Sequence, residues 1–271
     1  MINMESKTVE LRNLVKNNSP LVHNITNVVV TNFTANGLYA IGASPVMAYA
    51  KEEVGDMASI SQALVLNIGT LTSTEVEAMF IAGESANKHG VPIILDPVGV
   101  GATPYRTQTA KELLNRLSIQ VVRGNAAEIA NLIDEQVQMH GVDSKVEINN
   151  LADLAKKAAN KLNTIIVMTG KTDLITNGEI LFEVRNGHPM LTKVTGTGCL
   201  LSSVVAAFCS QSDDKTTACA AAVSFYGIAA EKAIEVNQSK GPGHFQMNFI
   251  DQLYNITDET IVNNIKIKQT Q

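Results

Sequence analysis

Short, uninterrupted apolar runs alternate along this chain with longer segments in which apolar residues return every three or four positions. Ala63–Ile68 (A-L-V-L-N-I), Pro92–Leu95 (P-I-I-L), Ile119–Val122 and Thr164–Met168 are runs of the first kind. Runs that short, lacking polar alternation, predict strands buried on both faces. Helical segments between them make the sheet mainly parallel. Leu21–His23 and Val46–Ala48 read as further strands. Helices are expected over Glu5–Asn17 (Val9, Leu11, Leu14 and Val15 on one face), Asn27–Ile41, Glu52–Ser61, Thr72–His89, Thr107–Arg116, Asn125–Ile133 and Asn150–Leu162. Thr72 or Ser73 can cap the fourth of these, and Gly90 stops it. Asp173–Thr176 and Glu179–Val184, joined by Asn177-Gly178, predict a hairpin. The last third adds helices over Gly198–Ser210, Asp213–Asn237 and Phe245–Tyr254. Gln136–Asn150 reads as a surface loop, and the polar Thr257–Gln271 as a loosely held tail. The whole predicts one α/β domain over residues 1–271, its mainly parallel sheet flanked by helices on both faces.

Composition narrows the function classes. The 271 residues are 45% hydrophobic and 17% charged, enough apolar material for a sizeable core, and the net charge of -5 comes without a long Lys/Arg cluster. Nucleic acid and an anionic membrane are therefore not expected as partners. A small anionic substrate stays open, because backbone amides can bind it without a basic surface. Cys199, Cys209 and Cys219 form no C-x-x-C pair, so neither a zinc site nor a redox dithiol motif is indicated. The start, Met1–Pro20, has no apolar signal core, and Ala218–Ala230 is too short and too interrupted to span a bilayer. A reducing cytoplasm is the expected compartment.

The stretch with most chemistry is Lys193–Ser203, K-V-T-G-T-G-C-L-L-S-S. Gly196 and Gly198 alternate with Thr195 and Thr197 just before a helical pattern. Glycines let backbone N–H groups turn inward, and a helix start adds unpaired N–H groups and the positive end of its dipole. Thr195–Gly198 is thus a candidate anion cradle, suited to phosphate or to charge developing in phosphoryl transfer. Cys199 lies within it, where that field is expected to favour thiolate. The competing reading is a Gly-rich turn before a packed helix.

Ligands of an open parallel sheet bind beyond the carboxyl ends of its strands. Asn24, Asp96, Arg123, Asn125, Glu128 and Thr169 fall there. Asp96 is either an oxygen ligand for Mg²⁺ or the Asp of an Asp-Pro turn. Asn125 and Glu128 have capping-box spacing, which favours a structural role for both. Arg123 either clamps a phosphate or pairs with an acid, and Thr169-Gly170 either binds nucleotide or ends a strand. Gly99-Val100-Gly101 lacks the dinucleotide fingerprint, and no P-loop is present. His23 reads as strand-end scaffolding, and Met47 as core filler more readily than ligand contact.

Together these pieces are more specific than any one. HNITNVVVTNFTANGLYAIGASPVM (His23–Met47), ILDPVGVGAT (Ile94–Thr103), VRGNAAEI (Val122–Ile129) and KVTGTGCLLSSVVAAF (Lys193–Phe208), with a weaker GPGHF at Gly241–Phe245, resemble the hydroxyethylthiazole kinase family of thiamin salvage, within the ribokinase-like fold. The likeness spans about Leu11–Tyr254, and no motif position departs from the pattern. It implies ATP-dependent phosphorylation of the primary alcohol of 4-methyl-5-(2-hydroxyethyl)thiazole, with Mg²⁺. By resemblance Cys199 stands at the catalytic base, Gly196 and Met47 contact the thiazole, Arg123 and Thr169 contact ATP, and Asp96 and Glu128 serve the metal. Asn24 is grouped with the substrate contacts. The family also implies a homotrimer with active sites between subunits, placing Met47 near a neighbouring chain. Rival readings are a pyrimidine kinase of the same fold, the dehydratase that repairs hydrated nicotinamide cofactors, and a non-catalytic thiazole binder. The first two resemble proteins with aspartate at position 199.

Overall fold

A computed structural model describes residues 3–135, 144–236 and 240–270. The chain runs α1 (Met4–Asn18), β1 (Leu21–Ile25), α2 (Thr31–Ile41), β2 (Ser44–Val46), α3 (Val54–Ile60), β3 (Ala63–Asn67), α4 (Ser73–Lys88) and β4 (Ile93–Asp96). It continues through α5 (Pro104–Arg116), β5 (Val121–Asn125), α6 (Ala126–Leu132), α7 (Ser144–Leu162), β6 (Ile165–Thr169), β7 (Asp173–Thr176) and β8 (Leu181–Val184). A short 3₁₀ helix (Pro189–Lys193), α8 (Thr197–Cys209), α9 (Lys215–Val236), α10 (Pro242–Asn255), α11 (Asp258–Asn264) and β9 (Ile267–Thr270) follow.

The strands form a single sheet in the order β2-β1-β3-β4-β5-β6-β7-β8-β9. Pairs from β2 to β6 are parallel, while β6–β7, β7–β8 and β8–β9 are antiparallel. Parallel neighbours need a crossover, and helices supply it at each step. Alternate residues feed opposite cores, as the two-residue period of a strand requires. Val65, Ile94 and Val121 point to one, with Phe208 and Phe225, and Leu64, Leu66, Ile93 and Leu95 to the other, with Met79 and Leu113. The α/β class and mainly parallel sheet are as expected, and no helix among the described residues is long and apolar enough to cross a membrane.

Several boundaries move, each for a local reason. β1 continues to Ile25, and α2 begins at Thr31 rather than Asn27. Asn27–Val30 instead form a turn that commits the Asn27 side chain to β3 and α8. Valines, stiff at χ1, give such a segment little reason to start a helix. α5 begins at Pro104 because Thr103 caps it and proline fits the first helical position. The register Thr176↔Leu181 leaves Asn177–Ile180 as the hairpin connection. There the Asn177 side chain accepts two backbone N–H bonds.

Two expectations are corrected. Ser144–Asn150 belongs to α7 rather than to a surface loop, and the rest of that stretch, Gln136–Asp143, lies outside the described residues. Thr257–Thr270 is not a loose tail. Thr257 caps α11, Ile261 is fully buried beneath it, and β9 pairs with β8. The segment reads as polar because its helix is amphipathic and its strand lies at a sheet edge. Few buried isoleucines suffice to hold it.

Candidate active site

The parallel strands end on one rim, and the first turn of α8 arrives at that rim. Gly196 is the N-cap of α8, at φ +87, and offers no side-chain cap. A Cβ there would lie 2.8 Å from Val30 Cγ1, so both backbone angle and space demand glycine. The first-turn N–H groups of the helix thus have no side-chain cap, and the positive dipole end lies behind them. Gly198 serves by close approach: a Cβ would meet the Arg123 guanidinium at 2.8 Å.

The hydroxyls of the cradle divide. Thr195 is exposed. Thr197 is buried, its hydroxyl donates to Leu191 O at 2.8 Å, and its carbonyl accepts from Tyr226 Oη at 2.6 Å. That side chain ties the 3₁₀ helix to α8 and points away from the cradle, which leaves the cradle to the backbone N–H groups. Its backbone N–H remains in the first turn.

Asp96 ends β4 with no exposed surface, and its Oδ2 accepts from Asn67 Nδ2 and from Ser202 Oγ, each at 2.8 Å. Its Oδ1 is buried without a hydrogen-bond partner, and Arg123 Nη1 stands 3.6 Å away. Burial pushes the Asp96 carboxyl above the usual range, against the pull of Arg123 and of its two hydrogen bonds. Arg123 Nη2 donates to Thr169 Oγ1 at 2.9 Å, so β4, β5 and β6 are joined at their ends. Just past Thr169, Asp173 accepts the Gly170 N–H at 2.8 Å, and burial raises its carboxyl to about 6.

Glu128 makes the capping box that its spacing predicted: Oε2 accepts from Asn125 N at 2.9 Å. Its Oε1 accepts from Gly99 N, also at 2.9 Å, pinning the loop after Asp96. Among the described residues no three His, Cys, Asp or Glu side chains converge on a protein-only metal site. Mg²⁺ does not require one, since it binds through one or two carboxylates with phosphate oxygens and water. The unpartnered Asp96 Oδ1 fits that kind of ion.

Cys199, half-buried, is the third residue of α8, and its Sγ accepts from Asn27 Nδ2 at 3.4 Å. Burial, then the nearby Asp96, push its thiol up; Asn67, Asn27 and Arg123 pull it down. The net direction is upward, which corrects the expectation of a ready thiolate. The helix dipole acts there, but loss of water around the sulfur outweighs it.

Met47 follows β2, partly buried, on a segment held where His23 Nε2 meets Ala48 O at 2.9 Å. That contact makes His23 scaffolding, as expected, with its Nδ1 buried and unpartnered and its pKa lowered by burial. Asn24 departs from its expected role. Fully buried, it donates to Val22 O at 2.8 Å and accepts from Ser203 Oγ at 2.7 Å, a tie between β1 and α8. Four further residues matter that sequence reading passed over: Asn27, Asn67, Ser202 and Arg106. Asn67 was findable, being the polar end of a buried strand; the other three act through contacts distant in sequence.

Comparison with known proteins identifies the family of this chain. A model of the hydroxyethylthiazole kinase family matches residues 12–259. The chain is similar to the solved hydroxyethylthiazole kinase protein from Pyrococcus horikoshii OT3, with 40% identity, 98% of this chain and 100% of that chain covered, and a TM-score of 0.90. It is also similar to a ribokinase-like superfamily protein from Enterococcus faecalis V583, at 16% identity, 88% of each chain covered and a TM-score of 0.60. A third likeness is to the ADP/ATP-dependent NAD(P)H-hydrate dehydratase from Bacillus subtilis, co-crystallised with ATP/Mg²⁺ and soaked with CoA. There identity is 15%, coverage 91% and 96%, and the TM-score 0.59. The last two show a shared fold and nothing finer.

Proposed function

The chain belongs to the hydroxyethylthiazole kinase family, and we propose that the rim at the start of α8 is where its own residues carry out that chemistry. It is a kinase that phosphorylates the hydroxyl of 4-methyl-5-(2-hydroxyethyl)thiazole, and the family implies a place in thiamin salvage. The observation that carries the site assignment is the uncapped first turn of α8, with Cys199 in it and the Asp96–Arg123–Thr169 group beside it.

Arg123 and Thr169 take the nucleotide side, Arg123 offering its guanidinium to phosphate oxygens. Gly196 and Met47 take the thiazole side. First-turn N–H groups of α8 face the transferring phosphoryl group, where fixed donors act without reorganisation. The alcohol oxygen attacks the γ-phosphorus, the bond to the β-phosphate oxygen breaks, and the alcohol proton passes to Cys199 Sγ. A loose transition state leaves that proton in place until late, so positioning outweighs deprotonation. A sulfur with a raised pKa is then a strong acceptor, present as thiolate in a minor fraction. Asp96 would hold Mg²⁺ through Oδ1, with Glu128 reached through water because backbone N–H groups already occupy both its oxygens. When bound with ATP, the ion neutralises phosphate charge.

The assembly we propose is the homotrimer that the family resemblance implies. Apolar side chains at 65% (Tyr39) and 58% (Met247) exposure support it, since they line an open groove between α2 and α10, and Val28 and Val29 are exposed in the turn just before α2. Sedimentation equilibrium tests it. A cytoplasmic setting belongs to the same reading, because Cys199 must stay reduced to accept a proton.

Purified protein mixed with Mg·ATP and hydroxyethylthiazole should release ADP and form the thiazole monophosphate, identified by mass spectrometry, with both lost in EDTA. No product from folded, ATP-binding protein would overturn the substrate.

A further inference from the structure

Amide side chains can usually be turned either way round, but here one backbone group removes the choice. Gly69 N–H donates to the Asn67 side chain at 2.9 Å. A backbone N–H can only donate, so the atom it meets is Asn67 Oδ1, and the Asn67 nitrogen faces Asp96 Oδ2 at 2.8 Å. The same Oδ1 meets the Asn27 side chain at 3.0 Å, which must therefore present its NH₂. That nitrogen is the one 3.4 Å from Cys199 Sγ. Its two hydrogens thus have two acceptors, the Asn67 oxygen and the sulfur. Asn67 also favours the charged form of Cys199.

The starting peptide is itself fixed. Ile68 O and Gly69 N–H belong to one planar trans unit and point in opposite directions. Arg106 Nη1 holds Ile68 O at 2.6 Å and Val98 O at 2.8 Å, and its Nη2 holds Gly69 O at 2.8 Å. With the carbonyl clamped on one side, the N–H is aimed at Asn67 on the other. Asn27 and Asn67 are 5% and 2% exposed, so water does not compete for these bonds. A Cβ on Gly69 would come within 2.7 Å of Asn27 Nδ2, so the loop is packed against the amide it orients.

We propose that Asn27 and Asn67 are positioning residues for Cys199: a one-way amide chain, started by the Arg106-clamped Gly69 peptide, that offers N–H donors and no carbonyl to the sulfur. Donors hold the sulfur's lone pairs in a set direction and favour its charged form. The charged and titratable groups around Cys199 are Asp96 from β4, Arg123 from β5 and Tyr226 from α9. Asp96 opposes a negative sulfur and Arg123 favours it. The amides add donors without a further charge, leaving the phosphate field unaltered. The inference rests on Cys199 being the proton acceptor, and its test is built to fail separately from that reading.

Metal-free enzyme in EDTA is treated with iodoacetamide from pH 7 to pH 10, and alkylation of Cys199 is followed by peptide mass spectrometry, apart from the buried Cys209 and Cys219. Asn27→Asp replaces the donor by a carboxylate of the same shape. Its midpoint should rise by about one pH unit or more, roughly a tenfold slower reaction at a fixed lower pH. Asn27→Leu keeps the volume without charge and should shift the same way by less, and it serves if the aspartate variant does not fold. In steady state both should lose kcat with KM for ATP little changed. Unshifted alkylation in folded variants overturns the amide chain. Shifted alkylation with unchanged kcat supports the chain and removes Cys199 as the acceptor.

Discussion

Asn67 lies directly opposite Asp96 in the parallel register of β3 and β4, and its amide nitrogen donates to Asp96 Oδ2 at 2.8 Å. One carboxylate oxygen is thereby fixed within the protein, with help from Ser202, while the other is left without a partner beside Arg123.

Asp96→Asn should separate those two oxygens. The amide oxygen can keep the bonds to Asn67 and Ser202, so thermal melting should stay close to wild type. The amide nitrogen would stand where a cation or Arg123 needs an oxygen. We expect kcat to fall by about 100-fold or more, read as ADP release at saturating Mg·ATP. Full activity would remove Asp96 from the metal and phosphate machinery.

Cys199→Ser should lower kcat far more than it weakens thiazole binding measured by calorimetry. Equal losses in both would refute the acceptor role. Because burial and Asp96 raise the thiol pKa, wild-type kcat should climb as the solution is made alkaline from pH 7. Cys199→Asp should remain active, since Asn27 and Asn67 can donate to a carboxylate as to sulfur. A folded but inactive aspartate variant would count against this account.

Gly196→Ala should cost about 1–2 kcal/mol in urea unfolding from its φ of +87 alone, and more from the contact with Val30. Activity should drop beyond what the remaining folded fraction explains, because the first turn of α8 must tilt. An alanine variant with unchanged activity would show that the turn does not touch the reacting groups.

Asp173 gives a pH signature. Its carboxyl, raised from 3.8 to about 6, keeps a proton in the folded state that the unfolded chain has released. Its contribution to stability is fully present below 3.8 and is lost as pH rises through about 6. An asparagine side chain in its place would not titrate and can still accept the Gly170 N–H. Asp173→Asn should therefore gain about 1–2 kcal/mol at pH 8, a discounted figure for a partly exposed group, and match wild type near pH 4. Denaturant titrations at the two pH values decide it, and a constant difference would refute the burial effect.

Much of the rim was readable from strand ends. A continuous apolar run ending in a polar residue, as at Asp96 and Thr169, marks where a parallel sheet meets its ligand. The Asn125–Glu128 spacing foretold a cap that the fold contains. What escaped were relations that need three dimensions. Arg106 looks like any helical arginine until its guanidinium is found between the loops after β3 and β4. Asn24 and Asn27 belong to one H-N-I-T-N run, yet one is locked inside the core and the other meets Cys199. Thr197 sits amid cradle residues but spends its hydroxyl on the preceding turn. The state of Cys199 was misjudged because a helix start can be recognised from sequence, while the water removed around a sulfur cannot.

Every residue of α8 from Leu200 to Cys209 is buried. A helix buried along that whole length cannot swing on its own, so the first turn, which we propose receives the phosphoryl group, stands on a fixed base. The amide hydrogens of Leu200–Cys209 should exchange only when the whole molecule opens, making their protection a measure of global stability. Evolution or design that softens the distant end of α8 would therefore be felt at the reacting end. Substrate entry must be arranged by whatever flanks this helix, while the helix itself stays still.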